Sequence, residues 1–259
     1  MDLQLDDKTA VVTGASRGIG LAITRALVRE GARVVAGART SSDDLDELVA
    51  AGAVTFVAVD LAKPEAAATL VSAAGGRLDV LVNNVGHAPA RTQGFLAITD
   101  EQWQQSLELN LLSAVRVLRS AVPVMITGGG GSVVTVASVN AVLPDPAVLD
   151  YGAAKAALAN TSKALSKELA PAGIRFNTVS PGPVSTALWL GEGGVAQTFA
   201  AAAGSTPQDV VDQAARQSPT GRFTTPEEVA DLVLLLASER SANVTGADFT
   251  IDGGLVPTW

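Results

Sequence analysis

The sequence predicts an α/β fold: a single-domain, doubly wound parallel sheet of about seven strands with helices on both faces. Three observations predict it. Short apolar, β-branched runs such as Thr9-Ala10-Val11-Val12-Thr13 alternate with longer helical patterns. A strand buried on both faces has no polar side to show, so continuous apolar runs separated by amphipathic helices imply a parallel sheet covered on each side. The 259-residue length suits one large α/β domain, and no linker, repeat or second core interrupts it. Hydrophobic residues make up 47% of the chain and aromatics only 4%, so Val, Ala and Leu must fill a large interior.

Strands are expected at Thr9–Thr13, Arg33–Ala36, Val54–Val59, Asp79–Val82, Ser132–Val136, Ile174–Val179 and Asp248–Ile251. Helices are expected at Gly18–Glu30, Asp43–Ala51, Pro64–Ala74, Glu101 to about Ile126, about Asp150 to Ala170, and Pro226–Ser238. The long central helix ends at the run Gly128 to Gly131, which no helix would continue through. One segment, Ser185 to Phe223, is Gly- and Ala-rich and breaks the strand–helix rhythm. Long insertions of this kind often form lids over sites, so a substrate lid is expected at about 185–223.

Composition excludes several chemistries. The chain has no Cys and a single His, which rules out thiol catalysis and makes a His/Cys zinc site implausible, so no metal is expected. Net charge is −8, with 18 basic against 26 acidic residues and no basic run. A nucleic-acid partner needs a cationic footprint, and none is present. The acidic start, Met1-Asp2-Leu3-Gln4-Leu5-Asp6-Asp7-Lys8, does not read as a signal peptide. The longest uncharged stretch, Ser120 to Pro144, is broken by Pro123 and the glycine run, so it does not read as a membrane span. A cytoplasmic protein is expected.

The first βα turn reads Thr13-Gly14-Ala15-Ser16-Arg17-Gly18-Ile19-Gly20. Gly14 permits a tight turn, Gly18 lets backbone approach a phosphate, and Gly20 lets helix and strand pack closely. The free N–H groups of the following helix then face an anion. At the first strand of a βαβ unit this spacing indicates dinucleotide binding in a Rossmann-like sheet. NAD sites usually carry a carboxylate at the end of the second strand. Here that region reads Val34-Val35-Ala36-Gly37-Ala38-Arg39-Thr40. Arg39 is positioned to pair with a 2′-phosphate, Arg17 projects from the glycine turn, and nothing acidic repels that group. NADP(H) is therefore expected rather than NAD(H). Asp60, after the third strand, is a candidate acceptor for the adenine amino group, and Asn83-Asn84-Val85-Gly86 suits a backbone running close to a cofactor.

Tyr151 and Lys155 stand four apart on an expected helix, one turn apart on one face. A phenol titrates near pH ~10, and an ammonium beside it favours the phenolate. The pair is an acid/base device in outline.

Taken together these markers resemble the short-chain dehydrogenase/reductase family over nearly the whole chain, from Lys8 to Gly254. They occur in order: Thr13-Gly14-x-x-x-Gly18-x-Gly20, Asp60, Asn83-Asn84-Val85-Gly86, Asn110, Ser138, Tyr151-x-x-x-Lys155, Pro181-Gly182 and Ile251-Asp252-Gly253-Gly254. Val85 departs from the family's usual Ala. The resemblance implies a tetrad. Tyr151 exchanges a proton with the substrate oxygen, and Ser138 hydrogen-bonds that oxygen. Lys155 lowers the Tyr151 pKa and holds the nicotinamide ribose, while Asn110 anchors a water linking Lys155 to solvent. It further implies that Val184 and Thr186, after Pro181-Gly182, contact the carboxamide. Gly14, Ser16, Arg17, Ile19, Asp60, Leu61, Asn83 and Gly86 would line the rest of the cofactor. The implied activity is NADP(H)-dependent interconversion of a carbonyl and a secondary alcohol.

Two rivals fail on the sequence. Gly14-Ala15-Ser16-Arg17-Gly18 matches the G-x-S-x-G elbow of α/β-hydrolases. Its only available base, His87, comes before most of the sheet, no oxyanion segment of the His-Gly-Gly-Gly kind is present, and Tyr151, Lys155 and Gly20 stay unexplained. A non-catalytic dinucleotide sensor should have lost a tetrad member, and all four positions are filled.

Leu188, Trp189, Leu190, Val195 and Phe199 in the lid suggest a largely apolar small-molecule substrate. The family's 3-oxoacyl-acyl-carrier-protein reductases are the alternative. They typically dock an acidic carrier on basic residues after the central helix and before the sixth strand. Here those stretches, 126–131 and 171–173, carry no charge. The helix Pro226–Ser238 is apolar nearly all round and needs partners on more than one side. Family members commonly form homotetramers through it, so a tetramer is expected, with a dimer as fallback.

Overall fold

The computed structural model describes residues 2–258. Seven parallel strands form one sheet in the order β3-β2-β1-β4-β5-β6-β7. They are β1 (Thr9–Thr13), β2 (Arg33–Ala38), β3 (Val54–Ala58), β4 (Val80–Asn83), β5 (Gly131–Val136), β6 (Ile174–Pro181) and β7 (Asp248–Ile251). Consecutive residues of a strand serve opposite faces. Val12 packs in one apolar layer with Leu27, Leu45, Val229 and Val233. Val11 packs in the other with Leu70, Val117, Met125 and Phe176. Helices α1 (Gly18–Arg29), α2 (Asp43–Ala50) and α10 (Pro226–Ala237) supply the first layer. Helices α3 (Ala66–Ser72), α5 (Ser113–Thr127) and α6 (Leu149–Leu169) cover the second. The doubly wound architecture is the expected one. Strand order reverses between β1 and β4, and at that switch point the loops diverge and open a crevice at the strands' carboxyl ends.

Three local departures are informative. Strand β2 runs two residues further than the apolar pattern indicates, through Gly37 and Ala38. The Gly37 carbonyl accepts from the N–H groups of both Gly14 (2.8 Å) and Ala15 (3.2 Å), so the glycine turn hangs on the extension. A side chain at Gly37 would also meet Leu70 at 2.7 Å. The long central helix is not continuous α-helix: α4 (Asp100–Leu107) joins α5 through a π-helical turn at Glu108–Leu112 that carries Asn110. This run, Asp100–Thr127, is long and apolar enough to cross a membrane by length and composition alone. Here one side of it packs Val117, Leu118, Ala121 and Met125 into the core.

The segment after β6 is more regular than its composition implied. It forms α7 (Ala187–Leu190), α8 (Val195–Ala203) and α9 (Pro207–Gln217). Thr206 and Asp209 close a reciprocal capping box at the start of α9. The two ends of the insertion lie side by side: Ser185 N–H donates to the Thr224 carbonyl (2.9 Å), and Thr224 N–H donates to that of Pro183 (3.0 Å). Residues 185–223 thus leave and rejoin the body at one place.

Candidate active site

The glycine turn is built around Thr13. Its hydroxyl accepts from the N–H groups of Asn84 (2.9 Å) and Val85 (3.2 Å), and the Asn84 amide donates to the carbonyls of Thr13 (3.0 Å) and Gly14 (3.3 Å). The end of β4 therefore fixes the turn after β1. Gly14 and Gly18 have φ of +66° and +54°, the left-handed region where a side chain is strained. A Cβ on Gly20 would lie 2.1 Å from the Gly14 carbonyl oxygen, so only glycine lets α1 start this close to the turn. The result is a backbone cradle under the free N–H groups of α1's first turn. Thr186 closes the far side, its methyl 3.3 Å from where a Gly18 Cβ would stand. The Ser42 hydroxyl donates to the Ser16 carbonyl (2.7 Å) and ties in the loop after β2. On these loops Arg17 and Arg39 are exposed, and neither forms an ion pair among the described residues.

The other nucleotide candidates divide. Asp60 turns inward on its own loop, accepting from Ala62 N–H (3.2 Å), and Leu61 is buried beside it. Asn83 is buried with both amide atoms unpartnered, as is its register neighbour Thr135 on β5. Gly86 is crowded: a Cβ there would stand 3.1 Å from both Asn110 Oδ1 and Lys155 Nζ. Pro181 ends β6, and a Cβ on Gly182 would press on Asp252 at 2.9 Å. Val184 bridges to Thr224 at the base of the insertion. This donor set, a glycine cradle with open N–H groups and two unpaired arginines, fits a phosphate-rich dinucleotide.

At the same carboxyl end, Ser138 follows β5 and Tyr151 lies in the first turn of α6. The Ser138 hydroxyl donates to the Asn140 side-chain oxygen (3.3 Å) and accepts from the Asn140 N–H (3.2 Å), and it stands close enough to the Tyr151 phenol to favour its ionised form. The Lys155 Nζ sits 5.8 Å from the centre of the Tyr151 ring and donates to the Val136 carbonyl (2.8 Å). Lys155 is 2% exposed. Burial pulls its pKa down to about 8. Burial also raises that of Tyr151, and the nearby Ser138 hydroxyl only partly offsets the rise. The expected depression of the phenol by Lys155 is therefore absent in the protein alone, because removing both groups from water outweighs their attraction. Asn110 also differs in detail. Its amide grips the backbone of His87, accepting from the N–H (2.8 Å) and donating to the carbonyl (3.0 Å). A second donor contact, to the Ser106 carbonyl (3.0 Å), holds it on the π-turn.

A short-chain dehydrogenase family model described as Enoyl-(Acyl carrier protein) reductase matches residues 14–256. The chain belongs to the short-chain dehydrogenase/reductase family. Members are oxidoreductases of alcohol and ketone groups that bind a nicotinamide dinucleotide. The L-sorbose reductase of Gluconobacter frateurii, solved with NADPH and L-sorbose, is 36% identical with a TM-score of 0.90, each chain covered over 100%. The 3-oxoacyl-acyl-carrier-protein reductase of Thermotoga maritima is 35% identical over 98% of this chain and 100% of its own. A 3-alpha-(or 20-beta)-hydroxysteroid dehydrogenase of Mycobacterium bovis is 36% identical over 99% of this chain and 92% of its own.

Within this short-chain dehydrogenase fold, four residues that sequence reasoning gave no separate role brace the site. Thr13 and Asn84 bind β1's turn to β4. Asp252, 8% exposed, accepts from Gly254 N–H (2.8 Å) and Val256 N–H (2.7 Å), holding the carboxyl-terminal turn against Gly182. Asp150 pairs with Arg91 from the loop after β4. No local pattern marks the Thr13, Asn84 and Asp150 partnerships, since each joins segments far apart in the chain, whereas Asp252 bonds within its own turn.

Proposed function

We propose that this chain is an NADP(H)-dependent oxidoreductase that interconverts a carbonyl and a secondary alcohol on a largely apolar small molecule, with Tyr151 as general acid/base. The observation that carries the reading is the convergence of Ser138, Tyr151 and Lys155 beside the glycine cradle. When bound, the nicotinamide gives or takes the hydride. The chain handles the proton. Tyr151 donates from its phenol to the carbonyl oxygen in reduction and recovers that proton in oxidation. Ser138 donates to the same oxygen and polarises it. Lys155 would hold the ribose hydroxyls of the bound cofactor and, with the site so filled, would favour the phenolate against the burial that raises the phenol's pKa in the protein alone. Asn110 fixes the His87 backbone next to Lys155 and supports the water through which the proton is replaced.

Gly14, Ser16, Gly18, Ile19 and Gly20 would seat the pyrophosphate, and Asp60, Leu61, Asn83 and Gly86 the adenosine side. Pro181, Gly182, Val184 and Thr186 would hold the nicotinamide. Arg39 and Arg17 would take the 2′-phosphate. The NADPH in the L-sorbose reductase complex supports that preference.

Residues 185–223 serve as the substrate lid. Of the lid's apolar side chains, Val195 is buried and Trp189 packs edge-on against Phe223, 5.1 Å between ring centres. Leu188 and Leu190 remain 38% and 50% exposed and supply the apolar face. A homotetramer accounts for Leu235, which α10 leaves half-buried, and for the part of Leu232 that its packing on the core does not cover.

A second reading, reduction of a 3-oxoacyl group on an acyl carrier protein, draws support from the Thermotoga relative. The uncharged stretches 126–131 and 171–173 and the net charge of −8 disfavour an acidic carrier at long range. The test is a panel of apolar ketones, ketoses, steroids and an acyl-carrier thioester, each with NADPH and NADH, followed by nicotinamide absorbance. Apolar ketones with NADPH are expected to turn over best. Preference for NADH, or turnover confined to the carrier thioester, would overturn the assignment.

A further inference from the structure

One residue holds the Ser138 hydroxyl from two sides. Ser138 opens a 3₁₀ turn, Val139–Ala141, just past β5. Within that turn the Asn140 backbone N–H donates to Ser138 Oγ at 3.2 Å, and the Asn140 side-chain Oδ1 accepts the hydroxyl proton at 3.3 Å. An asparagine amide can face either way, and here its second partner decides. The Leu143 carbonyl can only accept, so Asn140 Nδ2 faces it at 3.2 Å and Oδ1 is left to face Ser138.

The turn is itself well anchored. Ala137 N–H donates to the Val179 carbonyl of β6 (2.8 Å), and Leu143 N–H donates to the Val139 carbonyl (2.7 Å). On α6 the residue after Tyr151 is Gly152, and a Cβ there would stand 3.2 Å from the Asn140 carbonyl oxygen. The turn that carries Asn140 therefore packs closely on the helix that carries Tyr151. Among the described residues Asn140 makes no hydrogen bond to Tyr151 or Lys155, so its polar influence on the site runs through Ser138. The site's other amides are engaged elsewhere: Asn110 grips His87 and Ser106, and Asn84 binds the glycine turn.

A hydroxyl has one proton and two lone pairs. The Asn140 N–H takes one lone pair and thereby fixes the oxygen. The proton is then shared out among Asn140 Oδ1, the Tyr151 oxygen and the substrate oxygen. At 3.3 Å the bond to Oδ1 is long for a hydroxyl donor, whose usual distance is about 2.7–2.8 Å. Such a bond orients the proton, yet yields it to an oxygen that gains negative charge, because charge-assisted bonds are the stronger ones. We propose that Asn140 is the positioning residue for Ser138: its N–H fixes the hydroxyl oxygen, and its side chain holds the hydroxyl proton until the substrate oxygen takes it. The proposal rests on the reading of Ser138 as a donor to that oxygen.

The test is a double-mutant cycle with Ser138, read in NADPH-saturated reduction of the apolar ketone that turns over best in the panel above. Asn140→Ala removes both side-chain polar atoms and keeps the backbone N–H. It is expected to lower kcat about fivefold, the size of one hydrogen bond. The KM for the ketone should change less than about twofold, because donation from Ser138 strengthens only as charge develops on the oxygen. Ser138→Ala alone should lower kcat about a hundredfold. Once Ser138→Ala is in place, adding Asn140→Ala should cost nothing further. Asn140→Leu keeps bulk in the turn without either polar atom and should repeat the result, which reads the proposal even where Asn140→Ala does not fold. NADPH binding should stay unchanged throughout. An equal loss in both backgrounds would mean that Asn140 acts independently of Ser138 and overturns the proposal, as does unchanged or faster turnover in the Asn140 variants. Full turnover by Ser138→Ala would be a different failure, that of the reading of Ser138 itself.

Discussion

The two ends of the crevice treat positive charge in opposite ways. At the nucleotide end, Arg17 and Arg39 lie exposed on loops without an ion-pair partner among the described residues. At the other end Lys155 is 2% exposed, and Arg91 is locked onto a fully buried Asp150. An exposed guanidinium keeps its charge at every working pH and is free to close on an anionic ligand. A buried ammonium has lost that certainty: its pKa falls to about 8, near enough to neutrality for its proton to be lost and regained in use. One end is therefore suited to recognition and the other to moving protons, and each can be broken by a change that leaves the other intact.

The largest expected break is at the proton-transfer end. Tyr151→Phe removes the phenol hydroxyl and leaves the ring. Turnover is expected to fall by about a thousandfold or more, within the range that positioned acids and bases contribute. NADPH binding, followed by quenching of protein fluorescence, should change less than about threefold, because the cradle at Gly14, Gly18 and Gly20 is untouched. Equal losses in binding and turnover would show that the two ends are not separable.

That separation was only half legible in the sequence. The central strands β1, β2, β4 and β5 could be read because their apolar runs are buried and cannot sit at a surface, while the edge strands β3 and β7 are partly exposed. The glycine turn could be read because Gly20 answers a packing need that no other residue meets, as the 2.1 Å approach to Gly14 makes plain. The extension of β2 through Gly37 could not, since Gly and Ala are poor strand formers and its reason is the turn from another strand. The π-turn at Glu108–Leu112 was hidden likewise, because what stabilises it is the grip of Asn110 on His87, 23 residues away. Helices α8 and α9 were obscured by their small and polar residues, although the Thr206–Asp209 box was there to be seen. The burial of Asp150 and the rise of the Tyr151 pKa have no local signature at all: each is set by what the fold excludes from water.

A middle-sized effect concerns Lys155 and stability. The unfolded chain holds this proton up to its ordinary 10.5, while the folded chain releases it at about 8. Between those values the unfolded state binds more protons, so the Lys155 contribution to stability rises with pH across that window. Below pH 8 the full cost of burying the ammonium is present, ~3 kcal/mol at most for a shift of this size. Lys155→Met is therefore expected to melt higher than the parent at pH 7, with the gap closing towards pH 10, while its turnover collapses. A variant that melts lower at pH 7 and shows no convergence would mean that the buried amine is stabilising and that the burial argument has the wrong sign.

The smallest effect belongs to the exposed end, and it is the most selective. Arg39→Ala should raise the KM for NADPH about tenfold, the size of one charge-assisted contact, and leave kcat and the KM for NADH unchanged. Arg17→Ala should act in the same direction. Because both guanidinium groups face water, their attraction for a phosphate is screened, so raising ionic strength to about 0.5 M should weaken NADPH binding and erase most of the difference between parent and variant. The pH profile of kcat should not move, since neither arginine touches the Tyr151–Ser138–Lys155 cluster. Equal losses for NADPH and NADH would assign these residues to the shared pyrophosphate. A shift in the pH profile would mean that the two ends communicate, with His87, which feels Arg39, Arg17 and Arg91 together, as the residue placed to carry the signal.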